Sequence, residues 1–343
     1  MQFTKMAQIQ ISDSVAVTYL GYTSLLSSIG QQSSSCHSGF CRRNSCCKKR
    51  ICEGSRRYTL LCKWKILKGE TIHGIPVTAV EIKTEDGAES LDRAVGKYIT
   101  IQTGLLSSEA LDLKALGECV SEVLTEVLSR YKGSTLCICG LGNRELVADS
   151  LGPDVIRNLS LKVFSGVASL NGLFKSVCSF VPGTAWTNNL DTELMVKGIL
   201  KEANANCLLL IDSLVTRNPE RLCQSIQVST AGGMNPFFAG RSIDWSALDV
   251  PVISIGVPLA ITAGTFIQSG VLTEETFTTL NAHHAVAASS FIISYAILRT
   301  CWPDLTTQDC IDFIRFNRDV IPYPDRNFDE DDTGDNAVPD ETT

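Results

Sequence analysis

The chain has 343 residues, 44% hydrophobic and 20% charged, with a net charge of −7; this excludes a largely disordered chain and suits one large α/β domain or two small ones. The charge is uneven: residues 1–68 carry eleven Lys and Arg against only Asp13 and Glu53, and the remainder carries nineteen basic and thirty-five acidic residues. No run reaches the roughly 18 apolar residues of a membrane span, and no basic segment followed by an apolar run and a cleavage site marks a secretory signal, so the expectation is a cytosolic chain with reduced thiols.

Residues 1–70 read as a basic, Cys-rich arm without helical or strand period, expected to be disordered. Six of the fourteen Cys lie between Cys36 and Cys62, yet Cys36, Cys41, Cys46, Cys47 and Cys52 form no paired C-x2-C units, and His37 has no matching half. No zinc site is therefore predicted there, and no cofactor or metal elsewhere. A basic arm on an acidic body could touch a partner or nucleic acid, and a solvated tail explains the pattern equally well; no direct nucleic-acid binding is expected.

The regular pattern is drawn from residue 71 to about 325. Val77 to Ile82 and Tyr98 to Gln102 read as strands, with Asp86-Gly87 and Gly96 as turn residues. Glu109 to Tyr131 reads as an amphipathic helix, because Leu113, Leu116, Val120, Val123, Leu124, Val127 and Leu128 recur at spacings of three and four. Thr135 to Leu141 is a short continuous apolar run, the signature of a strand buried on both faces. Pro153 to Leu159 reads as a helix, Ser176 to Val181 as a strand, and Asp191 or Thr192 as the cap of a helix to about Asn204. Cys207 to Ile211, Ser225 to Ser229 and Val250 to Val257 are further strands. Gly270 to Asp319 reads as mostly helix, with Ala285 to Leu298 buried. Residues 326–343 form an acidic tail expected to be disordered, with seven acidic and no basic side chains from Asp329 to Thr343. The alternation predicts an α/β fold with a mixed, largely parallel central sheet and helices on both faces.

In such a sheet, functional groups gather beyond the carboxyl ends of the strands. Two apolar strands run into acidic residues there: Cys207 to Ile211 into Asp212, and Thr135 to Leu141, through Gly142-Asn143, toward Asp149. If the strands are neighbours, the two carboxylates meet. Close carboxylates cannot both ionise cheaply, so one keeps a proton while the other can take one from water. An Asp at a strand end is also commonly a cap or turn residue, and the pattern alone leaves both readings open.

The stretches Gly140-Leu141-Gly142-Asn143, Asp149-Ser150-Leu151-Gly152-Pro153, Val181-Pro182-Gly183, Asp191-Thr192, Lys197-Gly198, Ile211-Asp212-Ser213-Leu214, Glu220-Arg221, Ser225 to Ser229 and Pro251 to Pro258 occur in this order over Thr71 to Ala263. In motif and spacing this segment resembles the germination proteases of spore-forming Firmicutes. The resemblance implies a fold similar to that of hydrogenase maturation peptidases. It also implies an aspartic-type endopeptidase with Asp149 and Asp212 as the catalytic pair. Asn143 and Arg217 lie near these aspartates in sequence and could hold them or the substrate; capping the following helix or pairing with Glu220 accounts for them equally well, and no residue calls for a metal. By the same resemblance the substrates are small acid-soluble spore proteins degraded during germination. The protein would be made as a zymogen, would assemble as a homo-oligomer, a tetramer, and would work in the cytoplasm of the forespore or spore core without a membrane. The chain departs from the family in two places: residues 1–68 offer no counterpart of the segment where the zymogen cleaves itself, and residues 231–240 replace a glycine-rich loop.

Other motifs carry less. Asp332-Thr333-Gly334 spells a pepsin-type triplet but follows no apolar strand. Gly140-x-Gly142 begins a dinucleotide fingerprint that Glu145 ends. His283 and His284, adjacent on a helix, point about 100° apart and do not suit one metal. A non-catalytic relative that binds spore proteins, and a metal-dependent peptidase of similar fold, are the rival readings; the first has no need of two carboxylates at one site, and the second lacks a visible further ligand.

Overall fold

A computed structural model describes residues 64–318 except 92, 161–171, 235–244 and 263–275. The arm through residue 63, the Cys36–Cys62 cluster, most of the 231–240 loop, the acidic tail and the 332–334 triplet lie outside the described residues.

The strands are β1 (Trp64–Ile72), β2 (Ile75–Ile82), β3 (Gly96–Gln102), β4 (Thr135–Gly140), β5 (Ser176–Phe180), β6 (Cys207–Thr216), β7 (Ser225–Ser229), β8 (Val252–Thr262) and β9 (Thr276–Phe277). They form one sheet in the order β1-β2-β3-β7-β8-β6-β4-β5, with β9 on β8. From β8 through β6 and β4 to β5 every pairing is parallel. From β1 to β8 through β2, β3 and β7 every pairing is antiparallel. The helices are α1 (Glu85–Leu91), α2 (Leu113–Leu128), α3 (Leu151–Leu159), α4 (Ala185–Asn188), α5 (Thr192–Glu202), α6 (Ala282–Cys301) and α7 (Thr307–Arg318).

Helices cover both faces, as the alternation predicted. Alternate residues of β4 and β6 (Leu136, Ile138, Cys207, Leu209, Ile211) join the core built with α2, α3, α6 and α7. The intervening ones (Cys137, Cys139, Leu208, Leu210) pack with Val196 and Leu200 of α5 on the opposite face. A strand covered on both sides must be apolar at every position, which is why these runs showed no alternation.

Helix α6 is the central pillar. It meets the length and apolarity of a membrane span, yet 83% of its most apolar window is buried inside the fold. Its serines satisfy themselves along the helix: Ser289 Oγ donates to Ala285 O at 2.6 Å and Ser294 Oγ to Ser290 O at 2.6 Å. Trp302-Pro303 separates it from α7, because proline cannot continue a helix.

Several boundaries differ from the sequence reading. The sheet begins at Trp64, not at residue 71, because β1 pairs with β2 from Trp64↔Ile82 onward. Asp86-Gly87, read as a turn, lies within α1: Thr84 supplies the cap, its Oγ1 accepting from Gly87 N at 3.2 Å, and Glu85 and Asp86 suit the first turn. Helix α2 starts at Leu113 rather than Glu109, because the Asp112 side chain accepts from Ala115 N at 2.8 Å. Strands β6 and β8 run five residues beyond Ile211 and Val257, since the two continue to pair from Asp212↔Gly256 to Thr216↔Ile261.

Candidate active site

The site arises where two parallel neighbours differ in length. The last β4–β6 pair is Gly140↔Ile211, followed by one bond from Leu141 N to Ile211 O at 2.9 Å. There β4 leaves the sheet, while β6 continues against β8. Asp212 is the first β6 residue past that point. It therefore lies within a strand, not beyond its end as the sequence suggested, but it does lie beyond the carboxyl end of β4. This opening is the usual functional position in a parallel sheet.

Asp149 comes to the same place from the loop after β4. Gly142 sits at φ +121°, and a Cβ there would fall 2.0 Å from Asp149 O. Gly140 and Gly152 interlock similarly: a Cβ on either would lie 2.3 Å from Gly152 O or Leu141 O respectively. Only glycine permits the loop to fold this closely onto the strand end. Asn143 shapes the fold-back, its Oδ1 accepting from Glu145 N at 3.0 Å, and its backbone N donates to Asp149 Oδ2 at 2.8 Å. A 3₁₀ turn, Val147–Asp149, then presents the carboxylate and leads into α3.

Both side chains are largely buried, with Asp149 3% and Asp212 7% exposed. Burial raises Asp149 to about 7, against the pull of the Asn143 N–H. Asp212 is pushed well above the usual carboxylate range, by burial first and then by the charge of Asp149, with the Ser213 N–H acting in the opposite sense. The pair is thus electrostatically joined, and its two ionisations separate. Asp149 loses its proton first, and Asp212 then holds its own against a neighbouring negative charge. Near neutral pH Asp149 titrates while Asp212 keeps its proton.

Of the four residues singled out from sequence, the structure brings together Asp149, Asp212 and the backbone of Asn143. Arg217 lies just past β6, exposed, and five residues of extended chain put its backbone about 16 Å from Asp212. Sequence reasoning passed over Cys139 and Asp154. The Cys139 thiol, on the α5 face of β4, is raised by burial and by the Asp212 charge. Asp154 is a third buried carboxylate, one turn into α3; its Oδ2 accepts from Ser150 Oγ at 3.2 Å and its Oδ1 lies 3.3 Å from Arg157. Burial raises it, and Arg157 opposes the shift. The i, i+3 spacing to Arg157 was its only sequence signal. Among the described residues no group of three or more His, Cys, Asp or Glu is placed to hold a metal ion. The rings of His283 and His284 lie 3.9 Å apart at the start of α6.

Residues 58–275 match the family described as Germination protease, and the chain belongs to that family. It is 32% identical over 207 residues to the germination protease of Caldanaerobacter subterraneus subsp. tengcongensis, an overlap covering 58% of this chain and 64% of that protein. It is 29% identical to that of Priestia megaterium over 211 residues, covering 59% of this chain and 57% of the relative. With that of Clostridium perfringens it shares 28% over 200 residues, 56% and 61% of the two chains. The chain therefore spans about 60% of the length of the curated relatives it matches.

Proposed function

We propose that the chain is an aspartic-type endopeptidase that hydrolyses small acid-soluble spore proteins during spore germination. The observation that carries this reading is the pair of buried carboxyl groups at the open end of β4, one of them raised by the charge of the other. In the proposed reaction ionised Asp149 takes a proton from a water whose oxygen attacks the peptide carbonyl carbon. Protonated Asp212 gives its proton to the carbonyl oxygen. The tetrahedral diol then collapses: the C–N bond breaks, the leaving amine takes the proton from Asp149, and a diol hydroxyl returns one to Asp212. A base titrating at about 7 is matched to work near neutral pH. Asn143 acts here as a positioning residue through its backbone, and exposed Arg217 is assigned to the substrate rather than to the pair.

Protease activity in germination is what the family and its relatives are named for; the substrate class and the setting, the cytoplasm of the forespore or spore core, are the finer part of the proposal and rest on the motif resemblance. A homo-oligomer, a tetramer, and a zymogen stage belong to the same proposal; light scattering tests the first, and N-terminal sequencing of the active form the second. The decisive experiment incubates the purified chain with a small acid-soluble spore protein beside Asp149→Asn and Asp212→Asn. Cleavage by the wild type alone supports the reading. Cleavage by either variant at the wild-type rate removes the pair from the mechanism, and tight binding without cleavage by the wild type favours a binding module instead.

A further inference from the structure

The parallel half of the sheet contains a second chemical grouping that the hydrolytic reading leaves unused. Cys137 of β4 and Cys178 of β5 are direct partners in the parallel ladder. Both belong to the α5 face, Cys137 within its core and Cys178 packed against it. Alternation turns Cys207 to the opposite face, where it joins the other core. Cys139, on the same strand two residues on, is opposite Phe180 rather than a thiol. Cys178 is thus the cross-strand thiol that faces Cys137.

We infer that Cys137 and Cys178 are an oxidative modification site, closing reversibly to a disulfide when the protein meets a hydroperoxide. Neighbouring strands lie about 4.8 Å apart, so directly paired Cα atoms fall inside the 4.4–6.8 Å window of a disulfide. The paired Cβ atoms still need to approach slightly, and the five-residue strand β5 can supply this movement, since among the described residues it pairs only with β4. Access is one-sided: Cys137 is fully buried, whereas Cys178 is partly exposed on the edge strand. The two thiols already interact. A hydrogen bond from Cys137 pulls Cys178 below the usual thiol range, against burial, and the same contact, with burial, pushes Cys137 up. Cys178 is therefore the attacking sulfur and Cys137 the resolving one.

The chemistry balances without further reactants. The Cys178 thiolate attacks the terminal peroxide oxygen, the O–O bond breaks, and the leaving alkoxide or hydroxide takes a proton, leaving Cys178 as a sulfenic acid. The Cys137 sulfur then displaces that hydroxyl as water, forming the S–S bond. Two thiols lose two electrons and two protons, and the hydroperoxide is reduced to an alcohol and water, or to two waters from hydrogen peroxide. Restoring the thiols needs only a dithiol reductant. The inference is independent of the proteolytic reading, because it concerns β4 and β5 and is read without an activity assay.

The test treats the full chain with graded hydrogen peroxide, blocks remaining thiols by alkylation and maps a non-reducing tryptic digest. The expected result is a linked pair of the peptides spanning 133–144 and 176–197, joined at Cys137 rather than Cys139 on fragmentation and abolished by dithiothreitol. In Cys178→Ser the same treatment should leave Cys137 fully alkylatable. The inference is overturned if Cys178 advances to sulfinic acid while Cys137 remains a free thiol, if Cys178 links to another cysteine, or if Cys137 is lost equally in the Cys178→Ser chain. The wild-type digest decides the matter even if the variant folds poorly.

Discussion

The two halves of the sheet are built on different terms. In the parallel half, β4, β6 and β8 are buried at almost every position, with helices on both faces. In the antiparallel half, β2 buries only Val77, Val80 and Ile82 and β3 only Ile99 and Ile101, and the other positions stay partly open to water. Polar groups follow suit. The antiparallel half carries exposed pairs such as His73–Glu122 and Lys97–Glu126, in which water screens each charge. The parallel half carries Asp149 and Asp212, which are almost wholly buried. Exposed carboxylates paired with cations on one half thus contrast with two buried aspartates on the other, whose ionisations are shifted upward. Desolvation of the two carboxyl groups, where helices cover both sheet faces, makes that difference.

The strongest way to break this comparison is to remove the pair. Asp149→Asn and Asp212→Asn should each lower peptide cleavage by roughly 10²–10⁴-fold, and by more if the two act as one unit. Single-turnover assays on a spore protein, with circular dichroism to show an intact fold, check this. An acid substitution in the antiparallel half, Glu81→Gln, should leave the rate unchanged. The rate of the wild type should rise with pH through about 7 as Asp149 ionises, and fall only where Asp212 finally loses its proton.

Stability should show the same contrast. Asp149 binds its proton more tightly folded, at about 7, than unfolded, near the ordinary aspartate value of 3.8. The folded state therefore holds more protons between these values. Its stabilising contribution is complete below the unfolded value and is lost as pH rises through the folded one, a fall of about 4 kcal/mol between pH 4 and pH 8. Asp212 extends the loss to higher pH. Urea unfolding at the two pH values should show the decline in the wild type and a smaller one in Asp149→Asn. Equal slopes in the two proteins would mean that Asp149 is not raised.

A smaller effect separates two glycines. Gly142→Ala would drive a Cβ into Asp149 O from a backbone at φ +121°, and should cost about 3 kcal/mol together with activity. Gly74, at φ +79° in the β1–β2 turn, has open space around it, and Gly74→Ala should cost only about 1–2 kcal/mol and no activity. Thermal melts of both variants sharpen the comparison, and equal costs would contradict the tight loop packing. Smallest of all, Glu122→Ala, which frees exposed His73, should change stability by less than about 1 kcal/mol, an effect that disappears in 1 M salt.

The sequence by itself determined the strand–helix alternation and the two-sided burial of the strands from Thr135 and Cys207. Periodicity and unbroken apolar runs are local properties, set by which faces a segment must bury. It also singled out Asp149 and Asp212, because the motifs around them stand in family order. Tertiary pairing decided the rest. That β6 runs on through Asp212 depends on β8 lying beside it, and no local pattern records a partner 44 residues away. Whether Asp149 and Asp212 would meet depended on β4 stopping at Gly140 while β6 did not, and on three glycines letting a loop close onto the strand end. The strand from Trp64 depends likewise on its sheet neighbour β2, whereas the α1 helix over Asp86-Gly87 rests on a local cap from Thr84 that outweighs weak helix propensity. Residue types can be read along the chain, but the burial that turns a carboxylate into an acid or a base is a property of what the fold brings around it.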